Sequence, residues 1–145
     1  MSTSNFQWRH DGLRWRIKLM QNTPTASLFY CRAKLVSCLH GSIFNVAVDI
    51  RPGDTFGYAY GEILSFENQK QMYIPRGFAH GYLTLEDDTL MQWCVDNDFC
   101  AEAARAVRYD SDFIWESESW PEGEYIVSEK DRNAEKFPFS IAKDK

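Results

Sequence analysis

The chain has 145 residues, a length at which a single domain can bury a sizeable core. Its net charge of −5 and its isoelectric point of about 5.2 argue against a protein whose whole surface binds nucleic acid or an anionic membrane. We therefore expect one domain over residues 1–145, and we expect any anionic ligand to bind at a local cluster of basic residues.

The N-terminal segment lacks the apolar stretch of a secretory leader, and no apolar run is long enough to cross a membrane. The cysteines do not form a Cys-x-x-Cys pair, so a zinc knuckle is not indicated. These features predict a cytoplasmic protein with no membrane partner and with free thiols at Cys31, Cys38, Cys94 and Cys100.

A basic strand is predicted first along the chain. Arg14, Arg16 and Lys18 alternate with apolar residues between Trp15 and Leu19, so a strand would place the three cations on one face. Guanidinium groups arranged in this way suit a diphosphate. A solvated strand face over the core explains the same pattern, and the sequence leaves both interpretations open.

Short alternating segments separated by turn signals dominate the middle of the chain. From Phe44 to Ile50 the even-numbered positions are apolar and form one strand face, and Arg51–Asp54 is typical of a turn. Further strands are predicted within residues 56–64, 72–74, 81–85 and 90–95, with a hairpin tip at 86–88.

Only residues 98–107 have a helical pattern, and the sequence after Trp115 becomes an irregular segment that we expect to lie over the sandwich. Many short strands with regularly spaced turns predict an all-β sandwich or barrel with little helix.

Several motifs in register carry a family resemblance. Their order and spacing hold from Lys34 to about Asp131, and together they closely resemble the dTDP-4-dehydrorhamnose 3,5-epimerase family. The motifs are Lys34–Val36, Gly41–Arg51, Leu64–Asn68, Ile74–Gly81 and Ser128–Asp131.

The resemblance implies a cupin jelly-roll β-sandwich, usually a homodimer, that acts on a dTDP-linked 4-keto-6-deoxyhexose in deoxysugar biosynthesis. It also implies an isomerase that inverts C3 and C5 without a cofactor. The C4 ketone acidifies the protons on C3 and C5, so a base removes one of them and an enolate forms at O4. An acid then returns a proton to the opposite face, while a cation or hydrogen-bond donor stabilises O4.

The resemblance assigns catalytic roles to three residues of this chain. Lys34 is expected near O4, His80 is expected to line the sugar pocket, and Asp131 corresponds to the aspartate that orients and charges the catalytic histidine. The simpler interpretations are a surface lysine, a buried core histidine and an exposed acidic residue in a polar tail. Many family members have aspartate where this chain has Asn45. Compared with that aspartate, Asn45 would hold the histidine less strongly and raise its pKa less.

The chain departs from the family at the groups that transfer protons. The best match to the motif of the catalytic base is Trp15–Gln21, which keeps Arg16 and Gln21 as expected substrate contacts but has Leu19 in place of the histidine. The family tyrosine expected to donate the proton corresponds to Trp93, whose indole cannot act as an acid. A second tyrosine, which contacts the ligand, corresponds to Phe99.

Two functional hypotheses follow from this pattern. The first is an active isomerase with a substitute base at His80, His10 or Asp131. The second is a catalytically impaired homologue that binds the sugar nucleotide or supports a partner enzyme. His40 is expected to be a solvated turn residue. The three scattered histidines do not form a metal-ligand set, so no metal is expected.

Overall fold

The computed structural model describes residues 2–7, 20–22, 32–99 and 104–137. This part of the chain forms ten strands and one short helix. They are β1 (Ser2–Gln7), β2 (Met20–Asn22), β3 (Lys34–His40), β4 (Ser42–Asp49), β5 (Tyr58–Ser65), β6 (Gln71–Ile74), β7 (Phe78–Thr84), β8 (Leu90–Val95), β9 (Ala104–Ala106), β10 (Ile114–Trp115) and α1 (Glu129–Arg132).

The strands form two sheets. A four-stranded sheet has the order β1-β8-β3-β6, and a six-stranded sheet has the order β10-β5-β4-β7-β2-β9. Paired strands are antiparallel except β10 and β5, which are parallel. The all-β sandwich predicted from the alternating segments is therefore confirmed.

Strand β4 lies between β5 and β7 and is buried along its whole length. Phe44, Val46 and Val48 point away from the smaller sheet, whereas Ile43 and Ala47 point towards it. The predicted alternation is confirmed, and the structure adds that both faces of this strand are covered. Two separate apolar clusters result, one between the sheets and one on the outer face of the larger sheet.

The C-terminal segment covers the outer face. Val107, Phe113 and Phe137 belong to the same cluster as Phe44, whose ring meets the edge of Trp120 at a centroid distance of 5.7 Å. This confirms that the segment after Trp115 lies over the sandwich. The outer face thus supplies a core of its own, and the space between the sheets can accommodate polar side chains.

The helix predicted over residues 98–107 is wrong where it can be compared with the structure. Residues 104–106 form β9 and pair with β2, and Asp98 and Phe99 are non-helical. Alanine favours helix, but pairing with a neighbouring strand overrides a weak local propensity. The helix of the described chain is α1, a single turn that begins after the N-cap Ser128.

A buried carboxylate closes the turn after β4. The Asp49 side chain is 2% exposed and accepts hydrogen bonds from the Arg51 backbone N–H at 2.9 Å and from the Thr55 hydroxyl at 2.8 Å. The Arg51 guanidinium adds contacts of 2.9 and 2.6 Å. Burial by itself would raise the pKa of Asp49, but these hydrogen bonds outweigh it and the pKa is lowered.

We expect Asp49→Asn to reduce the free energy of unfolding by about 1–3 kcal/mol, because the amide cannot accept all of these bonds. Asp54→Asn removes the same charge from an exposed position in the same turn and should change it by less than about 0.5 kcal/mol.

The stabilisation that Asp49 contributes should be fully present above about pH 4, near the pKa of an unfolded aspartate. It should be lost as the pH falls further, through the lowered pKa that Asp49 has in the folded protein. Urea denaturation of the wild type and both variants at neutral and acidic pH measures this. Equal stability of the two variants would contradict the structural role of Asp49.

Candidate active site

Three strands place polar side chains between the sheets. Lys34 begins β3 in the smaller sheet, while Asn45 lies on β4 and His80 on β7 of the larger sheet. Ala47 is directly opposite His80, so Asn45 is its diagonal neighbour on the same face. Exposures of 9% for Lys34, 4% for His80 and none for Asn45 show a site shielded from solvent.

These residues form a hydrogen-bonded chain with a defined direction. Lys34 Nζ lies 3.2 Å from His80 Nδ1, and His80 Nε2 lies 2.8 Å from Asn45 Oδ1. An ammonium group can only donate, so Nδ1 accepts and Nε2 carries the hydrogen that is donated to Asn45. The Asn45 amide in turn donates to Met72 Sδ at 3.1 Å. The chain thereby fixes the tautomer of His80.

Burial lowers the pKa of His80 well below 6.5, and the ammonium of Lys34 lowers it further. A second positive charge beside Lys34 is unfavourable in this enclosed position. The imidazole is therefore neutral at physiological pH, and its only lone pair on nitrogen is directed at Lys34.

Two aromatic rings flank His80. The Trp93 ring on β8 meets the imidazole nearly edge-on at a centroid distance of 6.4 Å, and the Tyr82 ring on β7 lies 6.0 Å away. We call Lys34, Asn45, His80, Tyr82 and Trp93 the inter-sheet site. The structure therefore places the sequence-predicted Lys34, Asn45, His80 and Trp93 together.

A rim of charged and aromatic residues lies at the same end of the smaller sheet as Lys34. Arg32 precedes β3, and its guanidinium stands over the ring of Phe99 at 5.0 Å from the centroid. Asp96, just after β8, binds Arg76 Nε at 2.9 Å and the Ala33 N–H at 2.8 Å. Phe99 was predicted as a ligand contact and lies on this rim, 56% exposed.

Arg32 is a site residue that the sequence motifs did not predict. The available signal was its position two residues before Lys34, which gives both side chains the same direction if the chain is extended.

Asp131 lies in α1, where it belongs to the helix cap. Its carboxylate accepts a hydrogen bond from the Ser128 hydroxyl at 2.6 Å, and its backbone N–H donates to the same oxygen at 3.1 Å. This reciprocal pair is a capping interaction. Both ring nitrogens of His80 have other partners, so Asp131 is not the residue that orients that imidazole.

Several predicted residues fall where the structure gives less detail. Arg16, His10 and the rest of the predicted basic strand lie outside the described residues. Gln21 is described by its backbone alone, in β2 opposite Arg105, and the preceding Met20 pairs with His80. His40, expected to be a solvated turn residue, is exposed; it is the last residue of β3, and its Nδ1 donates to the Asp88 carbonyl at 3.1 Å.

Among the described residues, no group of three or more His, Cys, Asp or Glu side chains could hold a metal ion. Cys38 and Cys94 are free thiols. No helix in this part of the chain is both long and apolar enough to cross a membrane.

The structure is a two-sheet sandwich with a polar site between its sheets, and Lys34 and His80 of the expected motifs belong to that site. This is the cupin-type arrangement of nucleotide-sugar epimerases. The family model of dTDP-4-dehydrorhamnose 3,5-epimerase matches residues 21–138. The chain belongs to this family.

Curated relatives support the assignment. The dTDP-4-dehydrorhamnose 3,5-epimerase of Sinorhizobium fredii is 40% identical over 104 residues, which cover 70% of this chain and 52% of the relative. The Escherichia coli enzyme is 41% identical over 108 residues, with 70% and 55% covered. The chain thus spans about half the length of these curated relatives.

Solved structures of epimerases share the fold. The dTDP-4-dehydrorhamnose 3,5-epimerase from Elizabethkingia anophelis superposes with a TM-score of 0.80 at 34% identity, covering 94% of this chain and 72% of that one. The Bacillus anthracis enzyme, solved with TDP and PPi bound, has a TM-score of 0.80 at 28% identity and covers 94% and 74%. These comparisons confirm the cupin-type sandwich expected from the motifs.

The depressed pKa of His80 predicts a pH-dependent stability. Below about pH 6.5 an unfolded histidine takes up a proton that the folded protein excludes, so stability falls as the pH drops through that range. Between pH 7.5 and 5.5 the loss attributable to His80 should be about 1 kcal/mol.

The variant His80→Gln should lose this part of the pH dependence, whereas His40→Gln, at an exposed turn, should keep it. Chemical denaturation of the three proteins at both pH values measures the difference. If the difference in unfolding free energy between the wild type and His80→Gln is the same at both pH values, His80 is not held neutral.

Proposed function

We propose that this chain is a nucleotide-sugar 3,5-epimerase that acts on dTDP-4-keto-6-deoxyhexose by abstracting protons next to the C4 ketone. The observation that carries the proposal is the buried Lys34 ammonium, held by neutral His80 in a chain that belongs to this epimerase family. The relatives are named as 3,5-epimerases, and the chain spans about half their length, so their activity is proposed for it.

Lys34 is assigned to the enolate oxygen. When a proton leaves C3 or C5, negative charge develops on O4, and an ammonium in an enclosed site stabilises that charge more strongly than it would in water. A neutral imidazole partner orients the ammonium and leaves its positive charge in place, whereas a carboxylate partner would neutralise that charge. Lys34 is thus the proposed catalytic residue, and the geometry suits a group that acts on the transition state.

His80 is assigned as a positioning residue. Its Nδ1 lone pair is engaged by Lys34 and its Nε2–H by Asn45, so in this arrangement neither nitrogen can accept a proton from carbon. His80 is therefore not the base in this proposal, and Asp131 and His10 remain of the three candidate bases predicted from the sequence. Trp93 and Phe99 are assigned as aromatic walls for the substrate, and Arg16, Gln21 and Asn45 as further binding residues.

The proposal includes two features of the family. We propose a homodimer, which sedimentation equilibrium measures directly as the mass in solution. We also propose a cytoplasmic location, with no nucleic-acid or membrane partner, in a pathway of deoxysugar synthesis such as that of dTDP-rhamnose.

The decisive experiment is NMR of dTDP-4-keto-6-deoxyglucose in D₂O with the protein. Proton abstraction followed by return of solvent deuterium removes the C3 and C5 proton signals, and we expect both to disappear. Loss of one signal would indicate a single-site epimerase. Persistence of both signals with ligand-induced shifts in the protein would contradict catalysis and indicate a binding homologue.

We expect Lys34→Met to slow this exchange by about 100-fold or more, because the variant keeps the apolar stem and loses the cation at O4. The matched control is Lys70→Met, since Lys70 is exposed and pairs with Glu62. A thermal melt of each variant checks folding. Exchange at the wild-type rate in Lys34→Met would rule out enolate stabilisation by this residue.

The base can be assigned in the same assay. If Asp131 abstracts the proton, Asp131→Asn abolishes exchange while His10→Gln retains it, and the reverse result assigns His10. Glu129→Gln, an exposed change in the same helical turn, controls for an effect of the cap region. Exchange that survives in both variants would exclude both groups.

A further inference from the structure

The rim of the inter-sheet site contains a cation that the proposed chemistry does not use. Arg32 is half-buried and stands over the Phe99 ring, and among the described residues Asp96 is the acidic group that acts on it electrostatically. The Asp96 carboxylate is already bonded to Arg76 and to the Ala33 N–H. Within the described part of the chain, Arg32 therefore has no carboxylate partner of its own.

We infer that Arg32 binds the diphosphate of the nucleotide-linked substrate, through a guanidinium that stands over the Phe99 ring on the rim of the inter-sheet site. This inference rests on the proposed function and adds a binding residue to it. It concerns a different residue from the predicted basic strand between Arg14 and Lys18.

The geometry of the cation suits a phosphate group. The Phe99 ring attracts the cation through its face and takes up none of the guanidinium N–H donors, which can therefore bind two phosphate oxygens at once. Stacking also fixes the orientation of a long side chain, so less conformational entropy is lost when the anion binds. Arg32 is thus prepared for a planar, bidentate contact.

The order of the residues matches the order of groups in the substrate. Lys34 is buried and is assigned to the C4 oxygen, whereas Arg32 is half-buried and precedes Lys34 by two residues, about 7 Å along an extended chain. In a nucleotide-linked hexose the diphosphate is attached at C1, across the ring from C4. A sugar whose ketone reaches Lys34 and whose C1 faces the rim would bring its diphosphate to Arg32.

The electrostatics of the rim support an anionic ligand. Burial lowers the pKa of Arg32, and Asp96 only partly offsets this effect. The guanidinium stays charged at neutral pH but has lost part of its hydration, and no carboxylate of the described residues is paired with it. An incoming diphosphate would compensate for that loss and would form charge-assisted hydrogen bonds.

Isothermal titration of TDP into the wild-type protein and into Arg32→Gln tests the inference. We expect the variant to bind TDP about 10- to 100-fold more weakly, which is typical when a hydrogen bond between charged groups is lost. Arg32→Lys keeps the charge without the flat fork and should give an intermediate loss. The dependence of Kd on salt should also become shallower in Arg32→Gln, because one fewer cation meets the phosphates.

Arg108→Gln is the matched control. It removes the same charge from an arginine that pairs with Asp110 on the segment covering the opposite face of the larger sheet, so its Kd should stay within about twofold of wild type. Thermal melts of all variants check folding.

If Arg32→Gln and Arg32→Lys both bind TDP like the wild type, the inference about Arg32 is wrong and the proposed function stands. If Arg108→Gln weakens binding as much as Arg32→Gln, only the net charge matters, and the inference is again wrong. If the wild type itself does not bind TDP, both the inference and the proposed substrate class fail.

Discussion

The hydrogen bond between Lys34 and His80 is the constraint around which the inter-sheet site is arranged. A cation shielded from solvent is costly unless polar groups replace its hydration. The imidazole supplies an acceptor, but only while it stays neutral and keeps its hydrogen on Nε2. Asn45 stabilises this tautomer, because its side-chain carbonyl oxygen accepts the Nε2 hydrogen of His80. The orientation of three side chains on three strands thus follows from one buried charge.

The sandwich can accommodate this polar chain because apolar burial is divided between two clusters. The outer cluster, built on Phe44 and covered by Trp120 and the rest of the C-terminal segment, stabilises the larger sheet from its other face. Gly61 shows how closely this face is packed, since a Cβ at that position would overlap the Phe44 ring. The apolar side chains on the outer face of β4 already anchor this strand, so Asn45 and Asp49, on its other face, can serve polar roles.

The sequence predicted the β-architecture and much of the site, for identifiable reasons. Alternation from Phe44 to Ile50 assigns each side chain to a face, and the motifs around Lys34 and His80 brought the correct strands together. Alternation does not identify the partner across the sheets, so the direct Lys34–His80 contact required the structure. Residues 104–106 form a strand despite two alanines, which favour helix, because their pairing with β2 is a long-range interaction that local propensity does not contain.

Motif matching was also least informative where one short pattern serves two purposes. The Ser128–Asp131 segment resembles a catalytic motif, and it is equally a helix-capping sequence, the role its hydrogen bonds show. Arg32 lies outside the family motifs, and its contact with Phe99 joins two segments at one end of the smaller sheet that are far apart in the sequence. A contact of that kind has no local signature in the sequence.

The asparagine at position 45 gives these observations a common interpretation. An aspartate there would stabilise a protonated His80, and an imidazolium cannot accept a hydrogen bond from the Lys34 ammonium. An amide oxygen accepts the Nε2 hydrogen without adding charge, so His80 remains an acceptor for Lys34 and the positive charge of the chain stays on the lysine. Because both imidazole nitrogens are engaged by Lys34 and Asn45, this hydrogen-bonded chain is better suited to stabilising an anion than to moving a proton. Under the proposed function, this asparagine would leave charge stabilisation to the Lys34–His80–Asn45 chain and proton transfer to other groups.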